Sequence, residues 1–547
     1  MQVLKMDRKE ITAVYLYAVL SGLIQLSLPL GIQSIISFVL GGSISTSLVI
    51  LIVLVVMGVF LAGLIQVNQM RIIEKVQQKM FVRYAFEYAY RIPRLDLKSV
   101  DGYYLPETVN RFFDSVSLQK GISKLLLDFP TATIQILFGL MLLSFYHPIF
   151  IVFSIGIIAL VSAILYFSGS RGMETSIRES DYKYGMGAWL EEIARVLPSF
   201  KFAKVNLLNL RRTDDLVNGY LEARTGHFKV LLFQYWTLVA FKVIITALML
   251  VVGSFLLINQ QLNLGQFIAA EIVILLVMNS VEKLIINLDK VYDVLTSVEK
   301  LAKIIDKPME SSGTIPQKGG HQGMKVSAHE VSFELSGRTV LHDVSFKVPA
   351  GSKVAVMGPD GSGKSTLLRL LSGVYSDHSG QLLIDDIRLR DYMIEPYRQH
   401  TGVLLSQQDI FEGTLLENIT MGDESIEPSE IAELIHQIGI DDLLMENSLG
   451  FSTMLEPLGR RLSRSVVQKI LLLRSLVNKP RLLLLEEPWR GLDANSRIRI
   501  QEHLLTGCGD ATVFVESNDR EFARRADQVL MFKDGSLVYA GPFHEGL

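Results

Sequence analysis

The chain has 547 residues, more than one ordinary core holds, so two or more domains are expected. Counted with glycine and without tyrosine, roughly 53% of residues are apolar against a usual 45–50%; charged residues are only 20% and mean hydropathy is +0.33. This composition excludes a disordered or fibrous protein, the net charge of −3 supplies no field for nucleic acid, and a single cysteine, Cys508, excludes a disulfide framework or a zinc site of several thiolates.

Taken in chain order, residues 11–70 contain no charged side chain. A bilayer span needs about 20 apolar residues, so this run holds two helices. The turn signal Gly41-Gly42-Ser43-Ile44-Ser45-Thr46 divides it. Residues 129–170 form a second uncharged run, broken at His147-Pro148, and residues 230–280 a third apolar stretch, broken near Asn259-Gln260-Gln261. Six spans are expected, near 11–40, 47–70, 129–146, 149–169, 230–257 and 265–281. A secretory signal does not fit the N-terminus, because its apolar part is too long and no small-residue cleavage site follows. Lys5, Arg8 and Lys9 place the N-terminus on the cytoplasmic side, and Arg71, Lys75 and Lys79 bring the chain back there. Stretches 71–128 and 171–229 then lie in the cytoplasm, each long enough for two helices that leave the membrane and return.

Lys242 and Glu271 fall inside spans, where ionisable groups are functional candidates. Counted from the outer turn, Lys242 lies about 25 Å deep and Glu271 about 10 Å, so they are not expected to pair with each other. Lys242 can snorkel to the cytoplasmic interface and Glu271 can face a wet cavity.

The character changes after Leu301. Residues 307–324, with Pro308, Ser311-Ser312-Gly313, Pro316 and Gly319-Gly320, read as a linker. Beyond it, β-rich runs alternate with helical patterns, so 325–547 is expected to be one α/β domain. Its strand Lys353-Val354-Ala355-Val356-Met357 runs into Gly358-Pro359-Asp360-Gly361-Ser362-Gly363-Lys364-Ser365-Thr366 and then a helical Leu-Leu-Arg-Leu-Leu. This is a phosphate loop in its strand–loop–helix context. The glycines let backbone N–H groups turn toward phosphate oxygens, Lys364 would reach the β- and γ-phosphates of ATP, and Ser365 would ligate Mg²⁺. Downstream, Leu482-Leu483-Leu484-Leu485 reads as a buried parallel strand that delivers Glu486 and Glu487 to its C-terminal edge. Glu486 there can organise the magnesium water shell, and Glu487 can polarise an attacking water.

Six spans followed by this domain resemble a bacterial ABC exporter half-transporter over nearly the whole chain. The fold so implied is an all-α six-helix transmembrane domain, 1–306, followed by an α/β P-loop NTPase of the ABC type, 325–547. Gln407, with Phe411-Glu412-Gly413-Thr414 and Glu417-Asn418-Ile419, is similar to the Q-loop stretch, which adds Gln407 to the nucleotide and metal contacts. Glu486-Glu487-Pro488-Trp489-Arg490-Gly491-Leu492-Asp493 matches the Walker B and D-loop, with Glu487 at the catalytic glutamate. Asn263-Leu264-Gly265-Gln266 resembles the entry to the sixth helix. The resemblance further implies a second half-transporter as partner, alike or different, a bacterial cytoplasmic membrane as location, and a type I secretion or peptide-export setting with a periplasmic adaptor protein. Tyr103-Tyr104-Leu105-Pro106-Glu107 and Leu197-Pro198-Ser199-Phe200 are candidate coupling turns by the same likeness. The short stretch before the first span leaves no room for an N-terminal leader peptidase, and Cys508 is expected to be inert.

Four positions depart from the family pattern. The signature LSGGQ is replaced by Leu462-Ser463-Arg464-Ser465-Val466, the switch histidine by Asn518, the adenine-stacking aromatic by Leu335 with Phe333 two positions away, and the Walker B aspartate by Glu486. Arg464 can offer charge to a phosphate or hold two domains apart, and Asn518 can hydrogen-bond phosphate but carries no charge. The expected function is ATP-driven export; the alternative is an ATP-binding regulatory or structural partner with little hydrolysis. A membrane-attached kinase lacks a second catalytic constellation.

Overall fold

The computed structural model describes residues 8–42, 46–100, 105–202, 207–317, 319–320, 322–445 and 450–546. The chain forms two compact units: Met1–Pro93 with Tyr103–Lys307, and Arg94–Gly102 with Pro308–Leu547. The division between the units falls at Lys307, and Arg94–Gly102 belongs with the second unit although the stretches on either side of it belong to the first.

The first unit is helical throughout its described residues. Among the described residues six helices are long and apolar enough to cross a membrane: Arg8–Leu40, Thr46–Arg94, Leu105–Tyr146, Ile149–Arg195, Leu208–Ile258 and Leu264–Ile305. The first is interrupted at Leu26, between Arg8–Gln25 and Ser27–Leu40. Pro29 has no N–H to offer the Gln25 carbonyl, which removes a rung of the ladder at that point. The expected spans 47–70, 149–169 and 230–257 are parts of helices about twice as long. Leu208–Ile258, at 51 residues, is about 75 Å long against a hydrocarbon core of about 30 Å. The charged stretches therefore continue the membrane helices beyond the bilayer. Ser43, Ile44 and Ser45 of the first turn, and Tyr103 and Tyr104 of the first coupling turn, lie outside the described residues. Leu105–Asn110 and Leu197–Phe202 are short helices.

Packing explains which faces turn inward. On Thr46–Arg91, Val76, Met80, Tyr84 and Tyr88 recur every fourth residue and pack with Leu118, Ile122, Leu301 and Ile304. Leu143, Phe150, Leu238, Phe241, Ile245, Val273 and Val277 form a second core. Large apolar side chains such as Phe60, Phe145 and Val251 stay exposed, as a lipid-facing surface requires. Asn263 opens the Leu264–Ile286 helix with a reciprocal capping box to Gln266. Lys242 pairs with Glu282, at 2.7 Å, a partner the sequence did not suggest.

The second unit holds a four-stranded antiparallel sheet in which Arg338–Val348, Val326–Leu335, Ser379–Ile384 and Ile387–Arg388 lie side by side in that order, and a six-stranded parallel-centred sheet. The strands of the six-stranded sheet that matter for the site are, in sheet order, β11 (Gln528–Lys533), β3 (Lys353–Met357), β10 (Thr512–Glu516), β9 (Leu482–Glu486) and β6 (Thr401–Leu404). They run parallel, with β12 (Ser536–Gly541) antiparallel at the edge. β3 and β10 are buried at every position, and their centres, Val354-Ala355-Val356 and Val513-Phe514-Val515, are correspondingly apolar. Arg94–Gly102 joins this unit through main-chain and charged contacts. Asp96 N–H donates to the Pro308 carbonyl and Glu310 N–H to the Arg94 carbonyl, Arg94 pairs with Glu395 at 2.6 Å, and Lys98 with Asp377 at 2.6 Å.

Candidate nucleotide site

β3 delivers the chain into the Gly358–Thr366 loop, and the helix Lys364–Leu371 follows at once. Gly358, Gly361 and Gly363 have φ of 139°, 77° and 98°, a region L side chains avoid. At Gly358 a Cβ would also stand 2.1 Å from the Phe532 carbonyl oxygen, and at Gly363 2.6 Å from Leu341. Lys364 is buried, and its Nζ donates to the Gly358 and Pro359 carbonyls, both at 2.9 Å. It is bent back over the loop, on the concave side formed by these glycines. Asp360 and Gly361 lie exposed at the loop's outer bend, while Ser362 is buried with its Oγ unpartnered. Such a cradle, with a lysine held by two loop carbonyls and, at 3.8 Å, by the Glu516 carboxylate, fits a polyphosphate.

At the sheet's C-terminal edge β9 places Glu486 and then Glu487. Glu486 Oε2 accepts from Ser406 N–H at 3.0 Å. Glu487 has φ 45°, donates its N–H to the Glu516 carbonyl at 2.9 Å, and has its own carbonyl held by Gln468 Nε2 at 3.1 Å. Burial raises its carboxyl pKa above the usual range, opposed by Arg490 and Lys364 and assisted by Asp360 and Glu486. Both glutamates line a cleft of about 470 Å³ with Ser406, Gln408, Arg464 and Arg490. Gln407 is exposed and outside the cleft lining, where its neighbour Gln408 stands, its Oε1 3.3 Å from Leu405 N. The sequence offers two adjacent glutamines, and nothing local decides which turns inward.

The departures also find places. Ser463 caps the helix Arg464–Leu476 by accepting from Val466 N–H, and Arg464 is exposed at its first position. Asn518 Oδ1 accepts from Gly358 N–H at 3.0 Å, so it braces the phosphate loop. Phe333 is buried against Tyr375, ring centroids 4.9 Å apart, and is not free to stack on a base in place of Leu335.

Sequence reasoning missed Glu516. This carboxylate ends β10 beside Glu486, its register partner on β9, and is only 6% exposed. Ser365 Oγ donates to its Oε1 at 3.0 Å, Lys364 Nζ lies 3.8 Å from the same oxygen, and Oε2 is buried without a hydrogen bond. Burial, with Glu486 and Glu487 adding to it, pushes its pKa up to about 7 against the pull of Ser365 and Lys364. An acid closing the otherwise apolar run Thr512-Val513-Phe514-Val515 was the available signal. Ser365 and Glu486, with this unsatisfied oxygen nearby, form an oxygen-rich set of the kind Mg²⁺ takes.

Two family models match the chain: the ABC transporter transmembrane region over residues 11–281 and the ABC transporter domain over residues 341–490. The chain belongs to the ABC transporter family. Among relatives, a Bacillus subtilis protein provisionally named as the multidrug export ATP-binding/permease protein YgaD is 28% identical over 347 residues, 61% of this chain and 59% of that one. A fatty acid ABC transporter ATP-binding/permease protein of Mycobacterium tuberculosis is 30% identical over 246 residues, 45% of this chain and 39% of that one. The matched regions thus span well under two thirds of these relatives. A solved structure of a bacterial Atm1-family ABC exporter with ATP bound shares the fold, with a TM-score of 0.84 over 98% of this chain and 95% of that one, at 19% identity. The six-helix and ATP-binding parts are therefore fused in one multi-pass ABC membrane protein.

Proposed function

We propose that this chain is one half of an ATP-driven exporter in a bacterial cytoplasmic membrane, working as a dimer with a second half-transporter. One observation carries the reading: a phosphate loop, the buried Lys364 and Glu487 converge on one edge of a parallel sheet, in a chain that also has six membrane-length helices. When bound, ATP supplies the phosphoanhydride bond and Mg²⁺ offsets the phosphate charge. Lys364 would leave the Gly358 and Pro359 carbonyls for phosphate oxygens, the loop N–H groups from Gly361 to Thr366 would orient them, and Ser365 with Glu486 would hold the cation. We take Gln408 in place of Gln407 as the glutamine that serves the nucleotide, a reading supported by its position in the cleft lining. The Glu487 carboxylate takes a proton from the attacking water, a role its raised pKa favours. Closure of two nucleotide domains would swing the membrane helices outward, and loss of phosphate would reset them.

A second reading, a partner subunit that binds ATP and scarcely hydrolyses it, is favoured by one feature. Arg464 stands exposed where the signature has glycine, and its bulk opposes close backbone approach. ATPase activity of the purified chain in lipid, beside Glu487→Gln, separates the two. A rate lost in the variant supports the exporter, whereas equal background rates support the silent partner.

A further inference from the structure

We propose that Glu516 is a positioning residue that fixes Ser365 as a ligand for a divalent cation and makes nucleotide binding at this site depend on that cation. The inference rests on the nucleotide reading of the site. A hydroxyl ligates a cation through an oxygen lone pair and needs somewhere to send its hydrogen. Ser365 already sends it to Glu516 Oε1, at 3.0 Å. A carboxylate behind a ligand in this way sets its orientation and raises its donor strength. The second oxygen of Glu516 is buried with no hydrogen bond, in a residue 94% removed from solvent by its 6% exposure. A buried oxygen left unsatisfied is costly. A hydrated cation next to Ser365 would supply the missing donor through one of its waters.

Charge gives the second half. Glu486 and Glu516 are register partners on adjacent strands, Glu487 follows directly, and Lys364 is the cation within 4 Å of Glu516. A triphosphate entering without a metal meets this carboxylate at close range. One like charge at about 6 Å in a partly buried setting weakens binding by about tenfold to a hundredfold. With the cation present the same carboxylate becomes favourable. Glu516 thereby converts the site from one that tolerates free nucleotide to one that admits the metal complex.

The test is equilibrium binding, at pH 8 where the carboxyl is ionised, of the non-hydrolysable β,γ-imido analogue of ATP to the full-length protein in lipid, with Mg²⁺ or with EDTA, so no turnover is read. In the unaltered protein, chelation should weaken binding by about a hundredfold or more. In Glu516→Gln, which keeps the shape and an acceptor for Ser365, metal-free binding should tighten by about tenfold or more, and the Mg²⁺ dependence should shrink to match. Glu516→Asp keeps the charge but falls short of Ser365, so it should bind free nucleotide as weakly as the unaltered protein and gain less from Mg²⁺. A Mg²⁺ dependence within twofold of the original in both variants overturns the inference while the nucleotide reading stands. Failure of the unaltered protein to bind the analogue even with Mg²⁺ overturns the nucleotide reading itself, and the inference with it.

Discussion

Lys242 Nζ lies 2.7 Å from Glu282 Oε2, an ion pair joining the helices Leu208–Ile258 and Leu264–Ile286. The two helices are linked by the turn at Asn259–Asn263. Seventeen residues before it and nineteen after it put both groups about 25–28 Å from that turn. Equal depth is what lets them meet, whereas Glu271 is less than half as far along its helix. Lys242→Met should leave Glu282 charged and unpaired, costing about 1–3 kcal/mol, and adding Glu282→Gln should recover most of it. Thermal unfolding of the three variants in one detergent measures this, and additive losses would show that the pair contributes nothing.

Gly358 combines φ 139° with a Phe532 carbonyl 2.1 Å from any Cβ. Because the obstacle is backbone, no rotamer change relieves it. Gly358→Ala should destabilise the second unit by about 2 kcal/mol or more and weaken nucleotide binding. Gly361→Ala, with open space around its Cβ but φ 77°, should cost less. Equal unfolding temperatures for the two variants would contradict this.

The pH behaviour of Glu516 has a definite sign. Its folded pKa of about 7 is above the ordinary carboxylate value, so the folded state binds its proton more tightly than the unfolded chain. That contribution to stability is fully present at pH values below the unfolded pKa and is lost as pH rises through about 7. Without metal or nucleotide, Glu516→Gln should therefore unfold at a higher temperature than the unaltered protein at pH 8, with the gap closing toward pH 5. A pH-independent gap would mean that the carboxyl is not perturbed.

Leu335 offers no π-face, and Phe333 is occupied by Tyr375. Base–aromatic stacking contributes about 1–3 kcal/mol per base. Leu335→Tyr should tighten ATP binding by about tenfold, while Phe333→Leu should affect stability more than affinity. Titration with a fluorescent nucleotide reads both.

Arg464 sits exposed on the first turn of its helix. If its bulk limits hydrolysis, Arg464→Gly should raise the turnover rate in lipid severalfold without changing the affinity for nucleotide. An unaltered rate would assign the slow step elsewhere.

Much of this architecture is legible because its signals are local. Runs without charge give the six spans, and the phosphate loop is written in nine consecutive residues whose glycines the backbone then uses at positive φ. What stayed hidden depends on partners distant in sequence. Lys242 finds Glu282 only once two helix lengths are known. That Gln408 lines the cleft while Gln407 is exposed follows from the turn the chain makes after β6, which the sequence does not spell out. Glu516 gains its meaning from Ser365, 151 positions earlier, and from a register that sets it beside Glu486. The length of the helices was also underestimated, since hydropathy marks only their lipid-facing part.

The stretch Arg94–Gly102 is held to the second unit by Asp96 and Arg94 on the Pro308–Glu310 backbone, and by Arg94 and Lys98 on Glu395 and Asp377. No single stop or start codon can therefore excise that unit whole. A fragment begun at Pro308 would lack a strap encoded more than 200 codons upstream, so any soluble piece made for biochemistry should carry residues 94–102 as a fused or added peptide.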